Sequence, residues 1–206
     1  MKATMKTLSA ILICCFISTI QMYGENIQRP ESENYVKGVE ALNEGNPEAA
    51  YTYLNAEINE HPDNGYAHCY MALICNFCND IKLALKALNS SLELIPEADT
   101  EYRSFAHYSR GVLLSNLKMW ERAEADLNEA IRLNPEDVEN YKSRAQLYFE
   151  TERYEESLDD LTRALKLDSK ADVNDLMLQL MAVAPTSEFM ERITATYQQL
   201  DQVTIH

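Results

Sequence analysis

Leucine recurs at 54, 88, 127 and 161, and small residues keep step with it. Gly38, Ala72, Gly111 and Ala145 each stand 16 residues before one of these leucines, and Ala50, Ala84, Ala123 and Ser157 stand four before. Pro62, Pro96 and Pro135 follow the first three leucines by eight. Windows of 34 residues, 31–64, 65–98, 104–137 and 138–171, hold the whole pattern. A period of this length belongs to stacked supersecondary units, none of which can bury its apolar face alone. Few other constraints on a chain of 206 residues are as severe.

Within each window the apolar residues follow a helical period. Phe105, Tyr108, Val112 and Leu113 mark one helix of the third window, and Ala123, Leu127, Ala130 and Ile131 the next. Small residues at positions 8 and 20 let two antiparallel helices approach until the large ones interlock. The proline stops the second helix, because it lacks an N–H and clashes with the preceding turn. Asp99–Arg103 are extra residues between the second and third windows, predicted to lengthen the following helix by about one turn with Thr100 as its N-cap.

A helix–turn–helix unit with this spacing resembles the tetratricopeptide repeat, here in a chain of the exported bacterial type. The third window matches best, with Gly111, Trp120, Ala123, Leu127, Ala130 and Pro135 at the family's small, aromatic and proline positions. Position 4, often a large aromatic, holds Asn34, His68, His107 and Tyr141, and the last window has Ser169 in place of proline. The resemblance implies an all-α, right-handed α-solenoid of four hairpins, with Gly38, Ala50, Ala72, Ala84, Gly111, Ala123, Ala145 and Ser157 packing the repeats. It further implies that first-helix positions 2, 5, 9, 12 and 13 line a concave groove. Those positions include Tyr35, Val39, Leu42, Tyr66, Leu73, Phe77, Phe105, Tyr108, Val112 and Phe149. Family members that clamp a peptide carboxylate use Lys, Arg and Asn there. In this chain Lys142 is the one cation on those positions, and position 9 never holds Asn. The expected ligand is therefore an apolar or aromatic-bearing peptide, or a helix, of another protein.

The flanks differ from the repeats. Lys2 and Lys6, an apolar run Leu8–Ile20 and a short polar stretch to Gly24 have the order of a secretory signal. The run is short for a membrane span of about 20 residues. Cleavage after Gly24 is expected, leaving 25–30 as a linker and placing the protein in the periplasm or cell envelope. Met22 fits a cleavage site poorly, so an uncleaved anchor is the second reading and the single route to the membrane. Lipid attachment at Cys14 or Cys15 ranks third, since neither follows Gly, Ala or Ser. Residues 172–206 read as two helices, Leu176–Val183 and Phe189–Leu200 with Tyr197 between, forming a helical cap.

A net charge of −15 disfavours nucleic acid, which needs a basic patch to release counterions. The five glycines never form G-x-G, so neither a dinucleotide fold nor a P-loop is expected. No G-x-S-x-G or H-E-x-x-H occurs, and neither catalysis, a metal nor a cofactor is expected. Cys75 and Cys78 have C-x-x-C spacing, which makes a thiol-redox or metal-binding accessory the alternative function, with Cys69 left odd. Cys75 falls on an inward position, where a cysteine serves as a small hydrophobe. His68 and His107 hold equivalent positions, too far apart in stacked units to share a metal. The acidic run Glu150, Glu152, Glu155, Glu156, Asp159 and Asp160 reads as a solvated helix face, with docking of a basic partner as runner-up.

Overall fold

The computed structural model describes residues 27–184 and 186–203. All regular structure among them is α-helix. The helices are α1 Glu33–Asn43, α2 Pro47–Glu60, α3 Gly65–Phe77, α4 Ile81–Leu94, α5 Thr100–Asn116, α6 Trp120–Leu133, α7 Val138–Glu150, α8 Tyr154–Leu167, α9 Asn174–Val183 and α10 Ser187–Val203. Two compact units divide the chain, Met1–Ser109 and Arg110–His206. In the first, α1 packs on α2, α2 on α3 and α3 on α4; in the second, α6 packs on α7 and α7 on α8. The expected signal at 1–24 lies outside the described residues.

One device makes every hairpin turn. Gly45, Asn79, Lys118 and Glu152 all adopt positive φ, between 58° and 71°. All four hold position 15 of their windows. The next residue's N–H reaches back to the carbonyl of position 11, as Asn46 to Ala41 and Asp80 to Cys75 at 2.8 Å, Met119 to Leu114 at 2.9 Å and Arg153 to Tyr148 at 2.8 Å. This is a Schellman closure, which satisfies carbonyls that the helix end would orphan. Only one of the four residues is the glycine that such a φ favours, so the sequence hides the motif. The following helix is then capped in the first two hairpins, where Asn46 Oδ1 accepts from the Ala49 N–H and Asp80 Oδ1 from the Leu83 N–H.

The small positions do what packing requires of them. A Cβ on Gly38 would lie 2.6 Å from Leu54 Cγ, and one on Gly111 2.9 Å from Leu127 Cγ. Ala50, Ala84, Ala123, Ala145 and Ser157 have no exposed surface, and Ala72 is also buried. Ser157 additionally donates its hydroxyl to the Ala145 carbonyl at 2.8 Å, joining the two helices of its hairpin.

α5 is 17 residues long against 13 for α3 and α7, about one turn more. Its cap is not Thr100, which is the first helical residue. Asp99 Oδ1 accepts from the Tyr102 N–H at 3.2 Å, and a carboxylate there also opposes the positive helix end. Arg103, on the first turn of α5, donates to the Leu92 and Ile95 carbonyls and so closes the C-terminus of α4.

In the second unit, α9 and α10 pack on α8. Leu176, Met177, Leu180, Phe189 and Ile193 are buried in one cluster with Leu158, Leu161, Ala164 and Leu165. The side chains of Tyr197 and Leu200 are outside the described residues. No described helix is long and apolar enough to cross a membrane.

Candidate protein-interaction site

The ten residues expected to line a groove fall into two groups. Tyr35, Leu42, Tyr66 and Phe105 are buried within the protein. Val39, Leu73, Tyr108, Val112 and Phe149 are half-buried, and Phe77 is 47% exposed. The buried four are therefore not available as anchors as the structure stands, because a ring already packed inside gains nothing from a ligand. Phe105 stacks on Tyr108 at 6.4 Å, and Phe149 lies 5.6 Å from Tyr154. Val39 and Leu73 hold position 9 of adjacent hairpins, and Phe77 follows Leu73 by about one turn.

The buried tyrosines belong to a cluster that periodicity did not reveal. Tyr66 of α3 meets Tyr102 of α5 edge to face at 4.8 Å. Tyr70 touches Tyr35 of α1 at 6.1 Å and Tyr102 at 6.2 Å, and the Tyr70 and Tyr102 hydroxyls are 2.9 Å apart. Burial is the main force raising all four phenols above their ordinary range. They therefore stay neutral, and each hydroxyl remains able to donate. Tyr66 uses its proton on Asp99 Oδ2 at 3.0 Å.

Into this cluster reaches Arg29, from the segment before α1. Its Nε donates to Asp99 Oδ2 at 3.2 Å, and its Nη2 to Asp99 Oδ1 at 3.4 Å and to Glu101 Oε2 at 2.9 Å. The guanidinium carbon stands 4.6 Å from the centre of the Tyr102 ring. Asp99 is 1% exposed, so its charge needs these donors; an unpaired buried carboxylate is costly. Burial works against the guanidinium charge, but the bonds to Asp99 and Glu101 outweigh it and hold Arg29 above its ordinary range. Nothing in the repeat pattern singles out Arg29, which precedes the first window. Asp99 stood in the sequence only as part of an insertion.

The second unit carries a repeated ion pair. Arg110 and Arg144 hold position 7 of successive windows, and Asp126 and Asp160 hold position 23. Each arginine grips its aspartate through two bonds of 2.7–2.8 Å. Arg144 and Arg153 also lie over the Tyr148 ring, at 5.6 and 4.2 Å, and Arg153 bonds Glu124 and Glu156. The acidic run is thus largely paired within the chain: Asp160 is buried on Arg144, while Glu155 and Asp159 bind Arg192 of α10. The solvated face holds for Glu150, Glu152, Glu155, Glu156 and Asp159, and the buried Asp160 is its exception.

The cysteines differ in their surroundings. Cys69 and Cys75 are buried and Cys78 is exposed, all three as free thiols. Burial pushes the Cys69 thiol up to about 12, and burial, with Asp80 and Cys78 nearby, raises Cys75. A raised thiol holds little thiolate, the reactive form. Among the described residues no three His, Cys, Asp or Glu side chains are placed to hold a metal. His68 Nε2 is 3.0 Å from the Pro62 carbonyl, a local contact that closes its own turn.

Comparison with known proteins agrees with the hairpin geometry. Residues 104–137 and 139–170 match models of the tetratricopeptide repeat. The chain has an all-α fold of the tetratricopeptide solenoid class. It is similar to MamA of Desulfovibrio magneticus, with TM-score 0.65 and 19% identity over 82% of this chain and 94% of that one. It is also similar to YrrB, described as a tetratricopeptide protein with an unusual peptide-binding site, with TM-score 0.56 and 21% identity over 66% and 68% of the two chains. In sequence it is 31% identical over 87 residues to the lipoprotein NlpI homolog of Haemophilus influenzae. That stretch is 42% of this chain and spans 28% of the relative's length.

Proposed function

We propose that this chain is a non-catalytic scaffold of the cell envelope that binds an apolar or aromatic-bearing segment of another protein along its first helices. The observation that carries the reading is the accessible apolar set Val39, Leu73 and Phe77 on α1 and α3, at positions that the repeat resemblance assigns to ligand. Val36, 40% exposed on α1, extends it. Burying one such large side chain contributes about 1.5–3 kcal/mol, and micromolar binding needs about 8 kcal/mol net, so several anchors must act together. In the second unit, Val112 and Phe149 remain partly accessible for the same use. Export rests on the order of charges and apolar residues in 1–24, and the partial likeness to an envelope lipoprotein is consistent with it. The thiol alternative gains no support from the buried Cys75.

The test compares proteins retained by wild type and by a Val39→Ser plus Phe77→Ser variant, with thermal melting as the check on folding. The expected result is loss of retained partners by at least about tenfold, since each factor of ten takes only about 1.4 kcal/mol. An unchanged set of partners on a folded variant would sink the proposal.

A further inference from the structure

We propose that Asp99, Glu101, Tyr66 and Tyr102 form a recognition site for an arginine in an extended segment of a partner protein, and that Arg29 fills this site as an internal substitute. The proposal rests on the scaffold reading above and gives the partner a chemistry. The site is built rather than incidental. A guanidinium is planar, with donors in a fixed fork, and Asp99 offers it both oxygens while Glu101 takes a further donor. Tyr102 presents its ring face at 4.6 Å, the arrangement that favours a cation. Tyr66 holds the Asp99 carboxylate in place by donating its hydroxyl to Oδ2, the same oxygen that accepts from Arg29 Nε. A lysine ammonium could satisfy the charge but not the fork.

Two further observations point to a ligand rather than to a simple staple. Tyr66 holds position 2 of its window, among the positions to which the repeat resemblance assigns ligand, and shares the Asp99 Oδ2 acceptor with Arg29, so Arg29 sits beside a place where a partner is expected. The occupant also comes from residues 27–32, which have no helix or strand of their own. Arg29 keeps 24% of its side chain exposed, and Glu101 22%, so a competitor can approach while the internal contact is still made. Binding in trans then becomes an exchange of one guanidinium for another. The partner must supply additional contacts to win, and the accessible apolar positions of α1 and α3 are where it would find them.

The probe is the hexapeptide Ile-Gln-Arg-Pro-Glu-Ser, residues 27–32 of this chain with blocked ends, titrated by NMR into the whole protein. Arg29→Ala should bind it at least about tenfold more tightly than wild type, and the peptide should raise the melting temperature of that variant. Adding Asp99→Asn, which keeps the oxygen that caps α5 but removes the charge, should abolish both effects. The same peptide with alanine for arginine should not bind. Should Arg29→Ala fail to fold, Arg29→Lys, which keeps a charge beside Asp99 but loses the fork and leaves the site itself intact, takes its place. Equal affinity of wild type and variant, or equal affinity of the alanine peptide, overturns the proposal. So does a variant that is folded and less stable yet does not take up the peptide, for then Arg29 is a structural staple. None of these outcomes bears on Val39 and Phe77, so the scaffold reading stands or falls separately.

Discussion

Position 15 of each hairpin shows how a single residue can carry strain that its neighbours must overcome. Left-handed backbone costs an L-residue about 1–2 kcal/mol, and glycine escapes most of it. Asn79, Lys118 and Glu152 adopt it nonetheless, because two hydrogen bonds per turn and the packing of both helices hold them there. Lys118→Gly should therefore stabilise the protein by about 0.5–1 kcal/mol, the remainder being lost to the freer unfolded chain. Gly45→Ala should cost about 1 kcal/mol from its own backbone, with no clash against the rest of the fold, since nothing beyond its chain neighbours lies within 4 Å of the added Cβ. Urea denaturation of both variants measures this, and a destabilising Lys118→Gly would refute the account. None of it was legible beforehand, since lysine and glutamate do not advertise a positive φ. The small residues at positions 8 and 20 were legible, because close helix approach leaves a compositional trace.

Between elements, the repeated arginine–aspartate pair does what apolar packing does elsewhere. Position 7 of α7 reaches position 23 of α8 through Arg144 and Asp160, and Arg144 also takes Asn128 of α6. Burial raises the Asp160 carboxyl even with Arg144 beside it. Removing the arginine should raise it further, since an opposite charge is lost and the burial remains. Arg144→Ala should then cost about 1–3 kcal/mol near pH 7. A carboxyl whose folded value lies above its unfolded value binds its proton more readily when folded, so the variant regains stability relative to wild type as pH falls through the folded value. Melting both proteins from pH 7 down to pH 4 should show the gap narrowing; a gap that widens would reverse the assignment. Sequence reading placed the acidic residues of α8 on a solvated face because it saw their spacing on one helix. It does not reveal Arg144 and Arg192, which arrive from α7 and α10.

For the molecule as a whole, α9 and α10 cover an apolar face that α8 would otherwise expose. Leu176, Met177, Leu180, Phe189 and Ile193 bury themselves on Leu158, Leu161 and Leu165. Ending the chain after residue 171 should bare that face, and size-exclusion chromatography should report self-association or loss of soluble protein. A monomeric truncation with an unchanged melting temperature would show the two helices to be dispensable. A terminal element with this duty could be read from the sequence, because an array of stacked units must stop somewhere.

The helical hairpin and its repetition are written in the order of residues, because close packing demands small and large residues at fixed intervals and that demand is local to each unit. Which of the expected ligand positions remain open is settled instead by how distant segments pack. Tyr35, Tyr66 and Phe105 are spaced like Phe77, yet they are buried while Phe77 faces water. Exposure depends on what arrives from elsewhere in the chain, such as Arg29 crossing 70 residues of sequence to reach Asp99, and no period within one helix encodes that arrival.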